Sequence, residues 1–88
     1  MSQRLGGVER TVLGVLREVG ESYGYRTREL ADLVEMAKAG DYQPRPATAA
    51  TYASTRRAVR KLYRDGYIRT AGRDRRGKVW SIVPEPGR

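Results

Sequence analysis

Apolar side chains set the first element of this chain. Val8, Val12, Val15, Leu16 and Val19 recur at i, i+4, i+7, i+8 and i+11, one face of a helix running from Gly7 to Val19 and stopped by Gly20. Tyr23-Gly24-Tyr25-Arg26 is too short for a helix between its glycines and suits a connector or a short extended segment. It leads to Thr27, a candidate N-cap. A second helix is predicted from there to about Ala39, with Leu30, Leu33, Val34 and Ala37 facing inward and Arg28, Glu29, Asp32, Glu35 and Lys38 facing water. Gly40 ends it. Residues 41–47 carry two prolines and form a loop, since proline removes a donor and forces its predecessor to be extended.

The third and longest helix is predicted from about Thr48 to Asp65, with Tyr52, Thr55, Val59 and Leu62 on its buried side and Gly66 as its stop. The period then changes from helical to alternating. Residues 67–71 and 78–83 are rich in β-branched and aromatic side chains, and Gly72-Arg73-Asp74-Arg75-Arg76-Gly77 lies between them, which predicts a β-hairpin with a basic tip. Residues 1–6 read as a flexible lead, 7–83 as one domain and 84–88 as a flexible tail. A chain of 88 residues has room for a single core.

Charge sharpens this picture. The net charge is +8, but residues 1–43 hold six basic and seven acidic side chains while residues 44–88 hold twelve basic and three acidic. Between Thr48 and Arg64 there is no Asp or Glu at all. Solvated helices commonly intersperse the two signs, as the second helix does. A concentrated positive field is instead suited to a polyanion. Arginine outnumbers lysine fifteen to three, which fits either forked phosphate and guanine contacts or a GC-rich coding sequence.

Three helices followed by a basic hairpin resemble the winged helix-turn-helix family over residues 7–83. The nearest local likeness is the segment from Ser54 to Ile68, which looks like a recognition helix, its glycine stop and the strand into the wing. Trp80 and Ile82 stand where that family tends to place inward-facing apolar residues. The resemblance implies an α+β fold, with three helices and a C-terminal β-hairpin wing. One departure is the turn at residues 40–47, longer than in the simplest members.

The helical geometry leads to the same place. With Thr55, Val59 and Leu62 inward, the opposite side of the third helix carries Ala50, Ala53, Arg57, Arg60 and Arg64, flanked by Ser54, Arg56 and Lys61. Small residues near its start permit close approach to a major groove, and arginines follow one turn apart. Arg57 is the first candidate for reading guanine, with Ser54 and Arg56 next, and Ala50 and Ala53 for meeting thymine methyls. Arg60, Lys61 and Arg64 are assigned to phosphates, together with Thr27 and Arg28 at the start of the second helix and Arg45 and Thr48 ahead of the third. In the hairpin, Arg69, Arg73, Arg75, Arg76 and Lys78 form a positive finger for the adjacent backbone or minor groove. The competing reading is an ordinary solubilising surface. Tyr63, Tyr67 and Trp80 are expected to give the core its bulk, whereas Tyr23, Tyr25 and Tyr42 lie in loops with no assigned role.

Catalysis is not expected. The chain has no histidine and no cysteine, which removes the usual bases, thiol nucleophiles and soft metal ligands, and no cofactor or metal is expected. Glu29, Asp32 and Glu35 share a face expected to lie in water, unlike paired acids in a cleft. Without a long apolar run there is no expected membrane span, and a cytoplasmic location follows. The resulting expectation is a double-stranded DNA-binding protein, a transcriptional regulator or an accessory factor of a plasmid or virus, with a homodimer possible at least on DNA and no small-molecule substrate. A winged-helix protein-interaction adaptor and an RNA-binding basic protein are the alternatives.

Overall fold

The computed structural model describes residues 5–40, 45–75 and 77–84, with Asp74 as backbone only. Their order is α1 (Gly7–Val19), β1 (Tyr25–Arg26), α2 (Thr27–Ala39), α3 (Ala49–Arg64), β2 (Ile68–Asp74) and β3 (Gly77–Ile82). The strands form one antiparallel sheet in the order β1-β3-β2, so the last strand lies in the middle. Tyr42 and Arg76, to which the sequence assigns a loop aromatic and a wing cation, lie outside the described residues.

Each helix start is fixed by a side-chain acceptor that meets a backbone amide at or just inside it. Gly6 and Arg26 precede α1 and α2, and their amides each donate to a carboxylate three residues on, Glu9 Oε1 and Glu29 Oε1, both at 2.8 Å. Thr27 is therefore not the N-cap that the sequence suggests, because β1 runs straight into the helix and Arg26 takes that position. Thr48 caps α3, its hydroxyl accepting from the Thr51 amide at 3.1 Å.

All three helices and the hairpin contribute to one core. Val12, Leu13, Leu16, Leu30, Val34, Val59, Leu62, Ile68 and Trp80 pack together, with Leu5, Tyr25, Tyr67 and Ile82 at its margin. The faces are rotated slightly from those the periodicity predicts. Leu13 is buried besides Val12 and Leu16. In α2 the inward positions are Leu30, Ala31 and Val34, while Leu33 is half-buried and Ala37 exposed. In α3, Thr51 rather than Tyr52 is buried, because the helix turns its Ala58 side toward the core and carries Tyr52 outward. Tyr63, expected in the core, is 48% exposed and lies against the edge of Trp80 instead.

The hairpin strands run closer to their turn than the sequence suggests, reaching Asp74 and Gly77. The extra length is accommodated by a bulge, since Thr70 pairs with Trp80 but Gly72 with Val79, leaving Ala71 unmatched. The base of the hairpin is held twice. Ser81 is buried and its hydroxyl lies within bonding distance of the carbonyls of Glu21 and Tyr23, at 3.0 and 3.1 Å. Gly24 lies so close to β3 that a Cβ there would meet the Val79 side chain and stand 2.9 Å from the Trp80 carbonyl oxygen.

One core residue is mismatched with its surroundings. Thr55 is fully buried and its hydroxyl has no hydrogen-bond partner among the described residues. A buried unmet hydroxyl costs about 1–3 kcal/mol, and valine has nearly the same shape. Thr55→Val is therefore expected to stabilise the domain by about 1 kcal/mol or more, read as a higher urea midpoint at unchanged slope. A lowered midpoint would show that the hydroxyl is useful where it is.

Candidate nucleic-acid interface

The outward side of α3 is set by its inward side. With Thr51, Thr55, Ala58, Val59 and Leu62 buried, Arg56, Arg57, Arg60 and Arg64 are all exposed, as is Ala50 at the helix start. Ala53, Arg56, Arg57 and Arg60 line one shallow surface depression, so three guanidiniums and a methyl share a patch. Arg57 Nη2 donates to Ser54 Oγ at 3.3 Å, one turn back along the helix. Two residues assigned to base contacts thus touch one turn apart on the exposed side of the helix.

The hairpin faces the same side. Arg56, Arg60 and Tyr63 of α3, Lys78 and Trp80 of β3 and Thr27 of α2 line a common groove of about 370 Å³. α3 and the hairpin strand β3 are therefore adjacent walls of one groove that carries three cations. Arg69, Arg73, Arg75 and Lys78 are exposed along the hairpin, with Arg75 in its turn.

Other assigned residues are placed differently. Lys61 Nζ is 3.6 Å from Glu9 Oε1 of α1, so its charge is partly answered inside the molecule. The Thr48 hydroxyl is occupied by its capping bond and by a 3.1 Å bond donated to Thr51 Oγ1. Thr27 lies in the groove beside the wing, and its hydroxyl accepts a 3.0 Å bond from the Trp80 indole. Arg28 lines a second groove with Asp32, Ala47, Thr48, Ala49 and Tyr52, where the starts of α2 and α3 approach each other. Arg64 Nε is 3.7 Å from Asp65 Oδ1, but its side chain is largely exposed, so this pair is a weak constraint.

The sequence pattern misses how the long turn into α3 is held. Asp32 and Glu35, expected in water, are half-buried. Asp32 Oδ1 accepts from the Ala47 amide at 2.9 Å and Glu35 Oε1 from the Thr48 amide at 3.4 Å. Lys38 Nζ adds a 3.2 Å bond to Thr51 Oγ1. The Glu35 carboxyl is held below its ordinary range by the Thr51 hydroxyl first and then by the Thr48 amide; burial opposes them, and the weaker effects of the Lys38 and Arg45 charges add to the lowering. A lowered folded value means this anchor is at full strength above the ordinary glutamate range and weakens as pH falls through the lowered value. The signal for this role was the spacing of Asp32 and Glu35, one turn apart on α2. Nothing in the periodicity says that a loop returns over them.

These elements define a winged-helix fold. The chain matches no protein-family model and no curated protein sequence. Among solved structures it is similar to the ferric uptake regulator from Francisella tularensis with iron, with a TM-score of 0.63 over 93% of this chain at 8% sequence identity. The match covers 55% of that regulator, so the chain spans about half its length. At such low identity the likeness concerns the fold. Among the described residues there is no group of three or more His, Cys, Asp or Glu side chains able to hold a metal ion, and no helix long and apolar enough to cross a membrane.

Proposed function

We propose that this protein binds double-stranded DNA as a sequence-specific transcriptional regulator, with α3 in the major groove and the hairpin as a basic wing beside it. The observation that carries the reading is the convergence of Arg56, Arg60 and Lys78 on one groove, which supports a positive surface shared by α3 and the wing. A duplex has regularly spaced phosphates flanking a groove wide enough for a helix, and this surface offers cations on both sides of one. Similarity to a regulator adds coarse support. The acidic residues that would give an adaptor a separate docking surface on α2 are partly used to hold the turn into α3, which favours DNA over protein as the partner.

On this reading Arg57, beside Ser54, reads a base and Arg75 at the wing turn meets the backbone. Arg57→Ala should cost about 1–3 kcal/mol on the preferred site and flatten its sequence preference, whereas Arg75→Ala should weaken every duplex alike and lower the salt slope by about one. Selection of bound duplexes from a random library, followed by titration of winners and losers, measures both. Equal and uniform losses for the two variants would refute the division of roles. Structured RNA that outcompetes random duplex would refute the choice of nucleic acid.

A further inference from the structure

We propose that the groove between α3 and the wing is the seat of one backbone phosphate, gripped jointly by Arg56 and Lys78 from opposite walls with Arg60 and the Thr27 hydroxyl completing the donor set; this rests on the DNA-binding reading above. It moves Arg56 from the bases, where the helical pattern put it, to the backbone.

The lining supports this chemistry. Thr27, Arg56, Val59, Arg60, Tyr63, Lys78 and Trp80 include three cations and no carboxylate. Two other grooves at element junctions are mixed in sign, with Arg17 beside Glu21 and Asp65 in one and Arg28 beside Asp32 in the other, and a third, between the three helices, holds the single cation Lys38. None of Arg56, Arg60 and Lys78 makes an ion pair with a described residue. Three uncompensated cations brought together by two elements repel one another, and an anion between them relieves that. A tetrahedral phosphate accepts from several directions at once, and here donors stand on α3, on β3 and at the start of α2.

The floor of the groove is built to stay in place. Trp80 is 8% exposed, its indole nitrogen donates to Thr27 Oγ1 at 3.0 Å, and Tyr63 stacks edge-on at 5.3 Å. Lys78 Nζ is held over the same ring, 5.9 Å from its centroid. A hydroxyl that accepts one bond still has its own proton to give, so Thr27 is oriented by Trp80 and remains a donor. Such preorganisation lowers the ordering cost of binding.

The test uses the whole chain and one defined duplex. Arg56→Gln and Lys78→Gln should each weaken binding about tenfold at low salt, the size of a lost charge-assisted contact. Because both grip the same phosphate, the double variant should lose less than the product of the two, and its log-log salt slope should be shallower than the parent's by about one, not about two. Trp80 is the sole tryptophan, so its emission should shift when the parent binds duplex, keep that shift in Arg75→Ala and lose it in the double variant at saturating duplex. Multiplicative losses with a slope change near two, or parent emission unmoved at saturation, would overturn the shared seat. Lys78→Arg should restore most of the affinity, which separates a lost charge from a disturbed hairpin. If the parent retards duplex with a steep salt dependence while both single variants are silent, the seat falls and the DNA reading stands. If the parent retards no duplex, both fall.

Discussion

Raising monovalent salt from about 50 to about 200 mM should weaken duplex binding on the order of 10³-fold. The groove of Arg56, Arg60 and Lys78 counts as one contact, and Arg28, Arg64, Arg69, Arg73 and Arg75 are exposed cations outside it; if about six phosphates are neutralised in all, the log-log slope is near −5. Lys61 is left out of that count because Glu9 stands 3.6 Å away. Each neutralised phosphate releases condensed counterions, and that release is opposed by added salt whatever the base sequence. Titration at four or five salt concentrations on one duplex gives the slope directly. A flat dependence would mean that the positive face of this molecule meets something other than a polyanion.

The second large effect is on the fold. Leu62→Ala should destabilise the domain by about 2–5 kcal/mol, because Leu62 is fully buried at the meeting of all three helices and the sheet and its removal leaves a cavity that the surroundings fill only in part. Its carbonyl also accepts the Tyr67 amide at 2.9 Å as the chain leaves α3 for the wing, so collapse around the hole would disturb the junction. In a domain of this size each kcal/mol moves the thermal midpoint by about 4–8 °C. Leu62→Met, which keeps volume, should cost less than about 1.5 kcal/mol. A loss below about 1 kcal/mol for the alanine variant would mean that the site is less tightly packed than its burial indicates.

Much of this fold is legible in the sequence because its elements obey one period at a time. The helices follow from apolar spacing and from Gly20, Gly40 and Gly66, each with a positive φ of 66–87° at or just past a helix end. The acid-free third helix and basic hairpin suggest a cationic face before any coordinates. What the sequence hides depends on contacts between distant residues. Tyr25-Arg26 becomes a strand only because β3 offers partners at Trp80 and Val79. Asp32 and Glu35 look like solvated charges until the turn folds back onto them. Thr27 and Tyr63 acquire their places from Trp80, which is 53 residues from the first. The interior faces are read correctly at Leu30, Val34, Thr55, Val59 and Leu62 but missed at single positions, where Ala31 is buried while Leu33 is only half-buried and Thr51 is buried while Tyr52 is exposed. A small side chain marks a close approach between elements, and hydrophobicity alone does not register that.

The strand order has a further consequence for behaviour at high concentration. With β3 enclosed between β1 and β2, the sheet presents only two rims to a neighbouring molecule. One is the two-residue β1, too brief to template another chain. The other belongs to β2, where the unmatched Ala71 breaks the regular ladder and Arg69 and Arg73 stand exposed on either side of it. Guanidiniums on matching rims repel, so the charge that suits a polyanion also guards the sheet against growing edge to edge.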